Sequence, residues 1–184
     1  MDSISILLLA GGEARRFPGK LAYEIDGEPM LVRCFRRVRK TGWPVYVAAK
    51  GEFLPEIGVA IDAPLLIDRE PGRGPLAAFV DACAAIESER VFAVAADQPN
   101  LDATVLARIA ASWEPGDEAV VPRHAGGIEP LAALYGRAAV LREASGMRAG
   151  GKGAMRDLIE RLAARFVPCE AQSFHNVNEI GDLR

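Results

Sequence analysis

The feature that most constrains this chain stands near its N-terminus. Ile6-Leu7-Leu8-Leu9 runs straight into Ala10-Gly11-Gly12-Glu13-Ala14-Arg15-Arg16-Phe17-Pro18-Gly19-Lys20. Ile4 to Leu9 lacks the alternation of a half-exposed strand, so it reads as a strand buried on both faces. Gly11 and Gly12 permit positive φ and close backbone approach, which lets the following loop wrap an anion with its N–H groups. A glycine pair alone would suit an ordinary strand-to-helix turn. Arg15, Arg16 and Lys20 add three cations beside it. Arginine can clamp a phosphate with two parallel hydrogen bonds, while lysine acts as a mobile point charge. The segment reads as a phosphate-binding loop.

Spacing narrows the kind of loop. A P-loop needs a glycine, four residues, then Gly-Lys-Ser/Thr. Here Ala14 stands at the first glycine's place and Leu21 follows Lys20, so the metal-binding hydroxyl is missing as well. The dinucleotide fingerprint needs a third glycine where Arg15 and Arg16 stand. Neither motif is present.

Composition sets outer limits. A chain of 184 residues, 50% hydrophobic and 26% charged, suits one soluble domain, expected over residues 1–184. A net charge of −3 makes the basic loop a local feature and argues against nucleic acid as a partner. No apolar run is long enough to span a bilayer, and Met1-Asp2-Ser3 lacks the basic start of a secretory leader. Cys34, Cys83 and Cys169 are odd in number and lack metal spacing, which points to reduced thiols and a cytoplasmic protein. With only His124 and His175, a multi-histidine metal centre is excluded.

Strands and helices alternate along the chain, as in an α/β fold with a mainly parallel sheet between helical layers. Tyr23 to Gly27 reads as a turn and Pro29 as a helix start, with Leu31, Phe35 and Val38 at helical spacing. Arg33, Arg36, Arg37, Arg39 and Lys40 read as that helix's solvated face. Val45 to Ala49 reads as a second strand. Leu65 to Ile67 reads as a short one that delivers Asp68 at its end, where ligands bind in open α/β sheets. From position alone, Asp68 serves equally as a loop cap or as an acceptor for a base edge. Gly74-Pro75 opens a helix carrying Leu76, Phe79, Val80 and Cys83.

Val91 to Ala96 is an apolar strand that ends in a single acid, Asp97, before Gln98-Pro99. A buried strand needs no such acid, and an unpaired carboxylate there is costly to desolvate. Magnesium offers a reason, since it takes one or two protein carboxylates together with substrate phosphates. Asp97 is therefore the expected metal anchor. Asp102 reads as the cap of a helix carrying Val105, Leu106, Ile109 and Trp113. Glu118 to Val121 reads as a strand and Glu129 to Tyr135 as another, with His124 on a glycine-rich loop between them, where it faces solvent or else touches a substrate. A helix ending near Ser145-Gly146 leads into a basic loop with Arg148, Gly150, Gly151, Lys152 and Gly153. Met155, Leu158, Ile159 and Leu162 mark a further helix. In the tail, Asn176 and Asn178 stand two apart, on one side of any extended segment.

Taken together, Leu9-Ala10-Gly11-Gly12, Arg16-Phe17, Gly19-Lys20, Gly74-Pro75-Leu76-Ala77, Asp97 and Phe174-His175-Asn176-Val177-Asn178 resemble the motifs of molybdenum cofactor guanylyltransferases. The resemblance runs through nearly the whole chain. It implies a three-layer αβα sandwich with a Rossmann-like sheet of the nucleotide-diphospho-sugar transferase type. It also implies transfer of GMP from GTP to a molybdopterin-type cofactor. By residue, it implies that Leu9, Ala10, Gly11 and Asp68 hold the nucleotide, Lys20 its phosphates and Asp97 a Mg²⁺ ion. Gly12, Arg16, Gly19, Asn176 and Asn178 would serve the reaction centre or the acceptor. A molybdoenzyme or a cofactor-delivery protein is a further implied partner. Two departures stand out: Ala48 replaces a frequent asparagine, and Asp97-Gln98-Pro99 resembles the cytidylyltransferase relatives. A different small-molecule nucleotidyltransferase and a non-catalytic nucleotide-binding protein remain the alternatives.

Overall fold

The N-terminal strand β1 (Ile4–Leu9) lies inside the main sheet, between two parallel neighbours, as its lack of alternation requires. Ile6 and Leu8 feed one apolar core and Leu7 the other, and all three are 0% exposed. The computed structural model describes residues 3–10, 19–49, 61–67, 74–147 and 153–177. Along the chain follow β2 (Glu24–Ile25), β3 (Glu28–Pro29), α1 (Met30–Arg39), β4 (Val45–Ala49), β5 (Leu65–Ile67), α2 (Pro75–Ala85) and β6 (Arg90–Ala95). Then come α3 (Ala103–Ala111), β7 (Ala119–His124), β8 (Gly127–Ile128), β9 (Ala132–Gly136), α4 (Arg137–Met147), α5 (Met155–Ile159) and β10 (Ala164–Pro168).

Among the described residues the main sheet has eight strands, ordered β10-β7-β9-β6-β1-β4-β5, with β8 paired to β7. β4 and β6 run parallel to β1, and β5 runs parallel to β4. β9 is antiparallel to both β6 and β7, so β6 and β7 share a direction. The C-terminal ends of β1, β4, β5, β6 and β7 therefore meet at one edge. The buried residues of α1 and α3 join the core on one face, and those of α2, α4 and α5 join the core on the other. This is the expected three-layer arrangement.

Local chemistry explains the elements. Asp102 caps α3 by accepting hydrogen bonds from Thr104 N–H at 3.0 Å and Val105 N–H at 3.1 Å. Gly74 precedes α2 and Pro75 occupies its first turn, as read from the sequence. The cations of α1 are largely engaged locally. Arg33 pairs with Asp26, Arg36 with Glu28, Arg37 with Asp102 and Arg39 with Asp62.

Several expectations need correction. β10 is a strand that the sequence did not announce, because an edge strand of five residues carrying Arg165 outward shows little alternation. β7 runs on to His124 and folds back as β8, where an exposed loop was expected. β9 begins at Ala132, so Glu129-Pro130-Leu131 lies before the strand. A small β2–β3 hairpin stands where a turn was read, and Pro29 ends β3 as the residue before α1. Leu162 lies beyond α5 yet is buried. No helix among the described residues is long and apolar enough to cross a membrane.

Candidate active site

The site assembles where β1 and β6 end together. Leu9 and Ala10 are tied to both neighbours, with Ala96 N–H donating to Leu9 O at 3.1 Å and Ala10 N–H to Ala48 O at 2.8 Å. The Ala10 amide is thus engaged in the sheet and not spare for an anion. Ala48 itself is 4% exposed and belongs to the apolar core beside α2.

Gly19 brings the next element in. Its φ of 73° is left-handed, a conformation that costs a residue with a Cβ about 1 kcal/mol or more. It opens the 3-10 turn Lys20–Ala22 and so sets where Lys20 departs. Lys20 Nζ donates to Asp97 Oδ2 at 2.5 Å and to Val177 O at 3.3 Å. Val177 N–H in turn donates to Asp97 O at 3.0 Å. Three distant segments are knotted at Asp97, through its carboxylate and its backbone carbonyl.

The Lys20 and Asp97 side chains are 14% and 20% exposed, so this pair is shielded from water yet still reachable. At such a place the attraction between the two charges is stronger than at an open surface, and their desolvation offsets part of it. Next in sequence to this knot, Asn176 Oδ1 and Gln98 Oε1 are buried and meet no hydrogen-bond donor among the described residues. Cys34 packs underneath, its thiol donating to Ala96 O at 3.2 Å. Burial, then the Asp97 charge, pushes that thiol up to about 12. A thiol so protonated is no nucleophile.

Asp97 presents the chemistry that a hard cation takes, a carboxylate just past a strand end, here paired with Lys20. No group of three or more His, Cys, Asp or Glu among the described residues has metal-binding geometry. An ion at Asp97 would therefore draw its other oxygens from substrate phosphates, so the donor set fits Mg²⁺.

Of the residues singled out from sequence, the structure joins Leu9, Ala10, Gly19, Lys20, Asp97 and Asn176 at one sheet edge. Gly11, Gly12, Arg16, Asp68 and Asn178 lie outside the described residues. His124 corrects the sequence reading, for its side chain is 12% exposed and bonded to Glu129 at 2.8 Å. Two features escaped the sequence reading entirely. Val177 works through its backbone, which leaves no side-chain signal. Glu129 had a visible one: an acid inside the apolar run Ile128-Glu129-Pro130-Leu131 calls for a partner.

Residues 6–167 match the model of the MobA-like NTP transferase domain. The molybdenum cofactor guanylyltransferase of Desulfosudis oleivorans is 32% identical over 139 residues, a match covering 74% of this chain and 67% of that protein. A relative from Bacillus licheniformis is 29% identical over 187 residues, spanning 96% of this chain and 93% of its own length. The fold recurs in molybdopterin-guanine dinucleotide biosynthesis protein A of Archaeoglobus fulgidus, with a TM-score of 0.79 at 22% identity, covering 97% of this chain and 94% of that one. It recurs again in a nucleotidyl transferase from Methanothermobacter thermautotroptrophicus, with a TM-score of 0.79 at 18% identity, covering 99% and 94%. With most of its length matched in this way, the chain belongs to the MobA-like NTP transferase family.

Proposed function

We propose that this protein transfers GMP from GTP to the molybdopterin form of the molybdenum cofactor, releasing pyrophosphate. The single observation that carries the reading is the knot of Lys20, Asp97 and Val177, which joins the phosphate-binding loop to the Phe-His-Asn-Val-Asn tail. A site for two large substrates has to be built at such a junction. The name of the Desulfosudis relative supplies the substrate class.

The acceptor's terminal phosphate oxygen attacks the α-phosphorus of GTP. A new P–O bond forms, the bond to the β-phosphate oxygen breaks, and pyrophosphate leaves with that electron pair. An ionised phosphate is already a nucleophile, so no Ser-His-Asp arrangement is needed. Two anions must approach, and catalysis then rests on positioning and charge neutralisation. Lys20 turns its ammonium toward the triphosphate, with Arg16 as a second cation and Gly11 and Gly12 as backbone donors. Leu9 and Ala10 line the nucleotide, and Asp68 accepts from the guanine edge. Gly19 sets Lys20's direction, while Asn176 and Asn178 receive the pterin side. Asp97 would hold Mg²⁺, which when bound supplies Lewis-acid polarisation of the phosphates. A molybdoenzyme or a delivery protein in the cytoplasm is the expected source or recipient of the cofactor.

Thermal shift with GTP, CTP, ATP and UTP in the presence of magnesium tests the nucleotide. A ligand at about a hundred times its Kd stabilises the native state by about 2.7 kcal/mol. Selective stabilisation by GTP, followed by pyrophosphate release once a molybdopterin acceptor is added, supports the reading. Asp97-Gln98-Pro99 favours one rival, a cytidylyltransferase. Selective response to CTP would establish it.

A further inference from the structure

One built cluster at the same sheet edge has no task in that mechanism: His124, Glu129 and Phe174. Gly126 N–H donates to His124 Nδ1 at 3.0 Å, so that nitrogen carries a lone pair. The ring proton then sits on Nε2 and is donated to Glu129 Oε1 at 2.8 Å. With both nitrogens engaged, the imidazole is fixed in tautomer and in rotation. Its face lies on Phe174, with ring centroids 5.9 Å apart and planes 11° from parallel, an offset stack. A Cβ at Gly126 would stand 2.9 Å from the imidazole Cε1 and 3.1 Å from Nδ1, so only glycine lets the ring seat there.

Phe174 is 3% exposed and ends the 3-10 turn Ala171–Phe174, just before His175-Asn176-Val177. Val177 then bonds Asp97 through its N–H and Lys20 through its carbonyl. A continuous path of contacts thus runs from His124 to the Lys20–Asp97 pair. An apolar pair would fill the same space with less desolvation cost than a histidine and a carboxylate. What the polar pair adds is orientation.

We infer that His124 and Glu129 are positioning residues that brace Phe174 and so hold Asn176-Val177 against the Lys20–Asp97 pair. They set where the acceptor phosphate meets the reacting nucleotide; the inference rests on the proposed acceptor role of the tail.

Four variants of the full chain test this: His124→Ala, Glu129→Leu, Glu129→Gln and Gly126→Ala. Hydrogen exchange of the peptide spanning residues 174–177 reads positioning without any turnover. His124→Ala, Glu129→Leu and Gly126→Ala should each lose protection there by about tenfold or more. Glu129→Gln, whose amide oxygen still accepts from Nε2–H, should keep it. In kinetics, His124→Ala, Glu129→Leu and Gly126→Ala should raise KM for the molybdopterin acceptor about tenfold, with KM for GTP unchanged within about twofold. Unchanged exchange together with unchanged acceptor KM overturns the inference, and so does an equal rise in both KM values. If His124→Ala does not fold, the contrast between Glu129→Leu and Glu129→Gln decides. Should the wild-type protein transfer no GMP to molybdopterin, the proposed function fails while the exchange experiment still judges the brace.

Discussion

At the scale of single residues, the Lys20–Asp97 contact of 2.5 Å concentrates the chemistry. Asp97→Ala takes the carboxylate from that contact and leaves Lys20, among the described residues, the Val177 carbonyl. Turnover should fall by about a hundredfold or more, with the far-ultraviolet dichroism unchanged. Activity within about tenfold of wild type would overturn the proposed metal role of Asp97. Gly19→Ala probes backbone instead of charge. Among the described residues nothing lies within 4 Å of a Cβ added there, so the φ of 73° is what penalises alanine. Urea unfolding should show a loss of about 1 kcal/mol, and KM for GTP should rise as Lys20 is re-aimed. Lys20 and Asp97 were both legible in the sequence, because a lysine after glycines and an acid ending an apolar strand each need a chemical reason. Val177 was not, since any residue type offers the same N–H and carbonyl.

At the scale of elements, the caps decide where helices start. Asp102→Ala removes both hydrogen bonds to the first turn of α3 and the carboxylate that faces Arg37. The N-cap contribution is about 1 kcal/mol, or about 2–4 °C in Tm for a chain of this size. Asp102→Asn should retain most of it, and a melting curve distinguishes the two. A drop equal for both variants would assign the stability to the Arg37 pair. β4, β5 and the start of α2 were readable because an apolar run or a Gly-Pro pair is a local signal. β10 was not. It owes its existence to pairing with β7 and to Arg165, which bonds Asp117 at 2.7 Å and Glu114 at 2.6 Å. Those partners lie far along the chain, where no window of sequence looks. The β7–β8 turn was misread although its pairing and the His124–Glu129 bond are local; only the Phe174 ring stacked on His124 comes from far along the chain.

At the scale of the whole molecule, both cores carry a buried thiol, Cys34 in one and Cys83 in the other. Burial, first among the causes, pushes each thiol from 9.0 up to about 12. Below pH 9 both states keep the proton, and stability from this source is fully present. Between pH 9 and about 12 the unfolded chain releases protons that the native protein keeps, so stability falls as pH rises. Urea unfolding at pH 8 and pH 10.5 should show this decline, and the double variant Cys34→Ala/Cys83→Ala should show a smaller one. Equal slopes would mean that the thiols are solvated in the native state. The same division between local and distant causes governs the molecule as a whole. By itself, the sequence determined the α/β architecture with its mainly parallel sheet, the strand-end acid and the family resemblance, because each is written in contiguous residues or short spacings. Tertiary structure alone decided that the tail reaches back to Asp97, that β9 runs against its neighbours and that His124 is locked beneath Phe174. Each of those depends on hydrogen bonds and packing between segments that meet only once the sheet has formed.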